Sequence, residues 1–120
     1  MRIYIAGPIS GTEDFEERFT AAAKEINKKG HQSVNPLDLR YVIQTEGIGA
    51  IEYAKTIEIC KALVAACDAV YMMPGWGSSY GARQEHDEAR DKGLRFFASI
   101  ASIPETSEAR RQRLNKLREA

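Results

Sequence analysis

The chain reads as an α/β fold, a small doubly wound parallel sheet of four to five strands flanked by helices. Three observations predict it. Short apolar runs alternate with helical patterns in the order βαβαβαβ. The runs are continuously apolar, as strands buried on both faces are. Three of them stop at a glycine or proline, so the chain leaves the sheet sharply and returns through a helix by the right-handed crossover that parallel strands require.

Ile3 to Ala6 is the first such run, and Gly7-Pro8-Ile9-Ser10-Gly11 ends it in a glycine-rich turn. Thr12 is placed to cap a helix with Glu13 and Asp14 in its first turn, and Phe15, Phe19, Ala22, Ala23 and Ile26 recur at helical spacing up to Gly30. His31 to Val34 gives a second strand, stopped by Asn35-Pro36. After an irregular stretch with Gly47 and Gly49, Ala50 to Ala66 runs without a helix breaker. Asp68 to Met73 is a third strand, stopped by Pro74-Gly75. Ser78 or Ser79 caps a helix through about Lys92, Gly93 ends it, and Leu94 to Ala98 is the fourth strand. In such flavodoxin- or Rossmann-like sheets ligands bind beyond the carboxyl ends of the strands, where the strand order reverses. That rule selects the loops 7–11, 35–39 and 74–81.

At 120 residues the chain holds one compact domain. Residues 1–98 suffice for the sandwich, and residues 99–120 read as a helical extension. That extension carries Arg110, Arg111, Arg113, Lys116 and Arg118 against Glu105, Glu108 and Glu119. It is expected as an amphipathic helix docking through Leu114 and Leu117, or serving as a subunit contact or a phosphate-facing basic edge. Lys+Arg and Asp+Glu both number 17, so the net charge is +0. That balance argues against a nucleic-acid polymer or an anionic membrane as partner, since both demand excess positive charge. The opening apolar burst is too short for a signal-peptide core or a membrane span, and the chain reads as cytoplasmic. Cys60 and Cys67 lie seven apart in a helical segment, which predicts free buried or half-buried thiols.

The loop 7–11 joins a strand to a helix, where backbone N–H groups and the helix dipole can meet an anion. It lacks the lysine of a P-loop, so a structural turn competes with that reading. Ser79-Tyr80-Gly81-Ala82-Arg83-Gln84-Glu85 says more. Ser79 stands at a helix mouth, Gly81 permits close approach of a ligand, and Glu85 lies one turn past Gly81 on the same face, with Ala89 one turn further. A carboxylate between two small residues looks into a cleft. Trp76 is either a lid packing on the domain or a platform for a base. Glu85, His86 and Asp87 diverge by about 100° per residue around a helix, so they cannot converge on one metal ion. No metal or other cofactor is expected.

Ile3-Tyr4-Ile5-Ala6-Gly7-Pro8, the strand exit 30–36, the run 67–76 from Cys67 to Trp76, and Ser79 to His86 together resemble the nucleoside 2-deoxyribosyltransferase-like superfamily. The nearest branch is its short phage and bacterial members. The resemblance covers residues 1–98, and its specificity lies in the combination of motifs.

The resemblance implies cleavage of an N-glycosidic bond, with Glu85 attacking the anomeric carbon of a deoxyribonucleoside. Transferases of the superfamily carry an aspartate six residues before that glutamate, where Ser79 stands here. The 2′-deoxynucleoside 5′-phosphate N-hydrolase branch has serine there and glycine two residues on, and holds the 5′-phosphate with both. Ser79 and Gly81 match, and a serine accepts a phosphate dianion that an aspartate repels. The expected site is therefore catalytic Glu85, with Gly7, Ile9, Ser10, Gly11, Trp76, Ser79 and Gly81 binding a small-molecule nucleotide. The family's aspartate on the preceding helix, which handles the proton of the leaving base, is replaced by Cys60. Glu58, Asp38 or a neighbouring subunit is left to supply that proton. A deoxyribosyltransferase, or a nucleotide-binding module without turnover, is the alternative function. The family also implies a homodimer.

Overall fold

In the computed structural model, residues 1–9, 13–39 and 50–119 are described. Four strands form one parallel sheet: β1 (Arg2–Ala6), β2 (Gln32–Val34), β3 (Ala69–Met72) and β4 (Arg95–Phe97), in the order β2-β1-β3-β4. Among the described residues four α-helices accompany them: α1 (Phe15–Lys28), α2 (Ala50–Ala65), α3 (Tyr80–Asp91) and α4 (Ser107–Glu119). The expected α/β doubly wound sandwich is the fold observed.

The strands are apolar throughout because both faces are covered. Side chains alternate across a strand, so Ile3, Ile5, Ala69, Tyr71 and Met73 face α1, meeting Phe19, Ala22 and Ile26. Tyr4, Ala6, Val70 and Met72 face the other way, onto Val64 of α2 and Ala89 of α3. Register aligns Tyr4 with Val34 on one side and Val70 on the other.

Glycine sets two helix ends by the same geometry. Gly30 (φ 92°) follows α1 and Gly93 (φ 71°) follows α3, both in the left-handed region. Each donates its N–H back into the last turn, Gly30 to the Asn27 carbonyl (3.0 Å) and Gly93 to that of Arg90 (3.1 Å), and the next strand begins within two residues. The start of α1 differs from expectation. Asp14 holds the cap position without a side-chain cap bond, and the helix begins at Phe15. Thr12 lies outside the described residues, as do Gly47 and Gly49.

The expected docking of the terminal helix through Leu114 and Leu117 is corrected. Leu114 is 39% and Leu117 65% exposed, and no residue from 110 to 119 is buried. The anchor lies earlier, in Ile103 (1% exposed) and Ala109. Lys29 Nζ donates to the carbonyls of Ile100 (2.7 Å) and Ile103 (2.8 Å), and Thr106 N–H donates to the Lys29 carbonyl (2.8 Å).

Candidate functional site

Strand order 2-1-3-4 reverses direction between β1 and β3, so the crevice outside their carboxyl ends is where this topology holds ligands. The two strand exits are tied together. Met73 N–H donates to the Ala6 carbonyl at 2.8 Å. A Cβ on Gly7 would stand 2.8 Å from Met73 Sδ and 2.9 Å from Met73 Cβ, so glycine is what lets the exits close on each other.

The loop from β3 to α3 is then shaped by one left-handed glycine and two hydrogen bonds. Gly75 adopts φ 86°, Ser78 Oγ donates to the Gly75 carbonyl (2.8 Å), and Arg18 of α1 donates to the Pro74 carbonyl (3.0 Å). Ser79 is the N-cap of α3. Its Oγ accepts from Ala82 N–H (3.2 Å), which leaves the hydroxyl proton available. The N–H groups of Tyr80 and Gly81 have no acceptor among the described residues. They form a positive helix end one turn before Glu85.

Glu85 is 8% exposed, on the face of α3 that also carries buried Ala82 and Ala89. Its Oε2 accepts a hydrogen bond from the hydroxyl of Tyr4, a fully buried residue of β1. Burial pushes the Glu85 carboxyl up to about 7, and the Tyr4 hydrogen bond opposes the rise. Tyr4 is raised well above its ordinary value, first by burial and then by the Glu85 charge. Cys60 of α2, half-buried, completes the cluster. Burial first, then the Glu85 charge, pushes its thiol up, and a hydrogen bond to Tyr4 opposes this. Cys67 is buried, and burial holds its thiol up at about 11.

Chemically, this is a carboxyl group that changes charge near neutral pH, steadied by a single phenol, beside an electropositive helix end. Such a group serves as a nucleophile above its pKa and as an acid below it. Glu58 and Asp38 are both exposed, and neither acts on Glu85. Trp76 is half-buried and stacks on His86 (4.6 Å between centroids, 13° between planes), while His86 tilts onto Phe96. Trp76 thus packs on the domain with one face occupied. His86 Nδ1 lies 3.2 Å from its neighbour Asp87, so neither residue turns toward Glu85.

Of the residues singled out from sequence, Glu85, Ser79 and Gly81 lie together along α3, with Trp76 in the loop before it. Gly7 lies beside Met73, and Ile9 is exposed on the following loop. Ser10 and Gly11 lie outside the described residues. Tyr4 is the partner of Glu85 that sequence reasoning missed. Its signal was a phenol in a strand buried on both faces, whose hydroxyl must find a partner. Asp68 is held at the other end of the sheet by Arg2 N–H (2.7 Å to Oδ2), beside a shallow depression that Met1, Gly30 and Gln32 also line.

No helix among the described residues is long and apolar enough to cross a membrane. No curated protein matches the chain. Among solved structures, a 2-deoxyribosyltransferase from the psychrotolerant bacterium Bacillus psychrosaccharolyticus matches with a TM-score of 0.63 at 14% sequence identity, covering 80% of this chain and 69% of that one. At that identity the match speaks to fold, which is nucleoside 2-deoxyribosyltransferase-like. Residues 1–97 match the family described as Domain of unknown function (DUF4406), and the chain belongs to that family.

Proposed function

We propose that the chain is an N-glycosidase acting on a 2′-deoxynucleoside 5′-monophosphate, with Glu85 as nucleophile. The observation that carries this reading is the buried Glu85 carboxyl, hydrogen-bonded to Tyr4 beside the switch point of the sheet. The similarity to a 2-deoxyribosyltransferase supports the same class of chemistry. A carboxylate oxygen of Glu85 attacks C1′, and the C1′–N bond breaks with its electron pair leaving on the base. The base takes a proton from water. A second water then hydrolyses the glycosyl ester and frees Glu85. The 5′-phosphate is held by the Ser79 hydroxyl and the N–H groups of Tyr80 and Gly81, where the helix end favours an anion. The reading assigns Gly7, Ile9 and Trp76 to the sugar and base side.

Cys60 favours a second reading, a nucleotide-binding module without turnover, because its raised thiol is a weak donor to a departing base. One experiment separates them. The four deoxynucleoside monophosphates are incubated with the protein and free base is followed by chromatography. The glycosidase reading expects base release that falls on the order of 10³-fold or more in Glu85→Gln. Release that survives that substitution removes the nucleophile assignment. Nucleotide binding by calorimetry with no base released supports the second reading. Transfer of the sugar to an added second base, outrunning hydrolysis, identifies a transferase.

A further inference from the structure

The balance of charge over the whole chain conceals a division. Residues 1–104 hold 12 Lys and Arg against 14 Asp and Glu, whereas the run from Arg110 to Arg118 holds five cations and no acid. The structure leaves that run open. Ala109 is the buried residue of α4, and every residue from 110 to 119 is exposed, so this length of helix meets solvent on all sides. Arg113 donates twice to Glu105, from Nε (3.0 Å) and Nη2 (3.1 Å). The side chains of Arg110, Arg111, Lys116 and Arg118 make no ion pair or hydrogen bond among the described residues. At about 100° per residue, Arg110, Arg111 and Arg118 fall within about 100° of one another, with Leu114 between them. A merely solvated helix intersperses both signs of charge one turn apart, and this face carries one sign only. The helix dipole favours Lys116 and Arg118 in the last turn but gives no support to Arg110 and Arg111.

We propose that the Arg110, Arg111 and Arg118 face of α4 is a binding surface for the phosphate backbone of duplex DNA, without regard to base sequence. A helix about 10–12 Å across fits a major groove about 12 Å wide, and eight residues of rise carry the face along about 12 Å of axis, past several phosphates. Arginine matches phosphate oxygens two at a time, and arginine supplies all three positions. Other negative occupants fit less well. A second copy meeting α4 with its own α4 sets like charge against like, and the rest of the chain has only a slight acid excess to offer. An anionic membrane requires a broad apolar face, whereas α4 has Leu114 and Leu117 and no aromatic residue. The proposal stands apart from the glycosidase reading, because none of these residues belongs to the Glu85 site.

The test is fluorescence anisotropy of a labelled duplex of about 20 base pairs, titrated with the full chain at salt from about 50 to 200 mM. Three phosphate contacts give a slope of log K against log salt of about −2.7, a weakening of about 40-fold over that range. Replacing Arg110, Arg111 and Arg118 together by Gln alters only exposed side chains, so the fold persists. That variant is expected to bind at least about tenfold more weakly at the lowest salt, with a slope brought close to zero. Lys24→Gln, which neutralises an exposed cation of α1, is expected to change binding by less than about twofold. Absence of duplex binding at low salt, a triple variant that binds as the unmodified chain does, or an equal loss in Lys24→Gln overturns the proposal. Two competitors test the occupant. If polyglutamate of matched charge, or vesicles containing phosphatidylserine, displace the labelled duplex as well as unlabelled duplex does, the assignment to DNA falls, in favour of an acidic protein or a membrane.

Discussion

Glu85→Gln tests the site through stability alone. The carboxyl titrates at about 7 in the folded chain against 4.5 for an unperturbed glutamate, with burial the main cause. The folded chain thus holds this proton more tightly than the unfolded chain. Stability from the group is full below pH 4.5, declines as the pH rises from 4.5 through 7, and is lost above. The shift corresponds to about 3 kcal/mol in total, because each pKa unit is worth about 1.4 kcal/mol. Glutamine keeps an oxygen to accept from Tyr4 and does not titrate, so its own packing consequences are the same at every pH. Urea unfolding of both proteins at pH 5.0 and 8.0 isolates the effect, since every other titrating group cancels in the difference. Relative to the unmodified protein, Glu85→Gln is expected to gain about 2.5 kcal/mol between the two pH values. With a urea slope of about 1.5 kcal/mol/M, the gap between midpoints changes by roughly 1.5 to 2 M. A gap that stays constant to within about 0.5 kcal/mol refutes the assignment of a buried, raised carboxyl at position 85. The direction matters, because a carboxylate kept at the expense of stability is the signature of a site selected for something other than folding.

Tyr4→Phe removes the hydrogen bond that lowers Glu85, so the carboxyl titrates higher still. Base release at pH 7 then falls by about threefold or more relative to release at pH 9, and equal losses at both would show that Tyr4 does not act through Glu85. Gly7→Ala drives a methyl group to within 2.9 Å of Met73 Cβ, which cannot swing aside as a side-chain tip does. Chemical denaturation is expected to register a loss of about 1–3 kcal/mol, and a neutral result would mean the β1 and β3 exits separate easily. Truncation after residue 98 removes Ile103 and the carbonyls that Lys29 binds, and should cost about 3 kcal/mol or more. Truncation after Arg110 removes only exposed side chains and should stay within about 1 kcal/mol; the circular dichroism melts of the two shortened chains therefore separate widely.

What was legible in the sequence follows from what depends on local chemistry. Continuous apolar runs with glycine and proline stops locate the strands to within a residue or two, and Gly30 and Gly93 mark helix ends because only their φ values permit the turn. Helical period alone sets Glu85 on one face with Gly81 and Ala89, so its inward direction was readable, and it is buried with Ala82 and Ala89. The docking of the terminal helix was misread because Leu114 and Leu117 have the pattern of a docking face, while the burial belongs to Ile103, in a short segment before Pro104 that ends before the helix begins, with Ile100 packed beside it.

Tyr4 was unreadable for a different reason. Which residue opposes Glu85 depends on pairing between β1 and β3, sixty-odd residues apart, and on the helices that cover that face. Once the order is 2-1-3-4, however, the outcome is constrained. Ile3 and Ile5 must face α1, so Tyr4 and Ala6 face α2 and α3, and of these two only Tyr4 carries a proton. A one-residue slip of β1 would send the phenol to the α1 face and bring an isoleucine to Glu85, leaving a buried carboxyl with no donor. The register that buries the apolar residues of β1 is therefore the same register that builds the Tyr4–Glu85 pair. That coincidence explains how a sheet of four short strands holds a titrating carboxyl in its interior: the charge is met by a group the central strand already commits to that face.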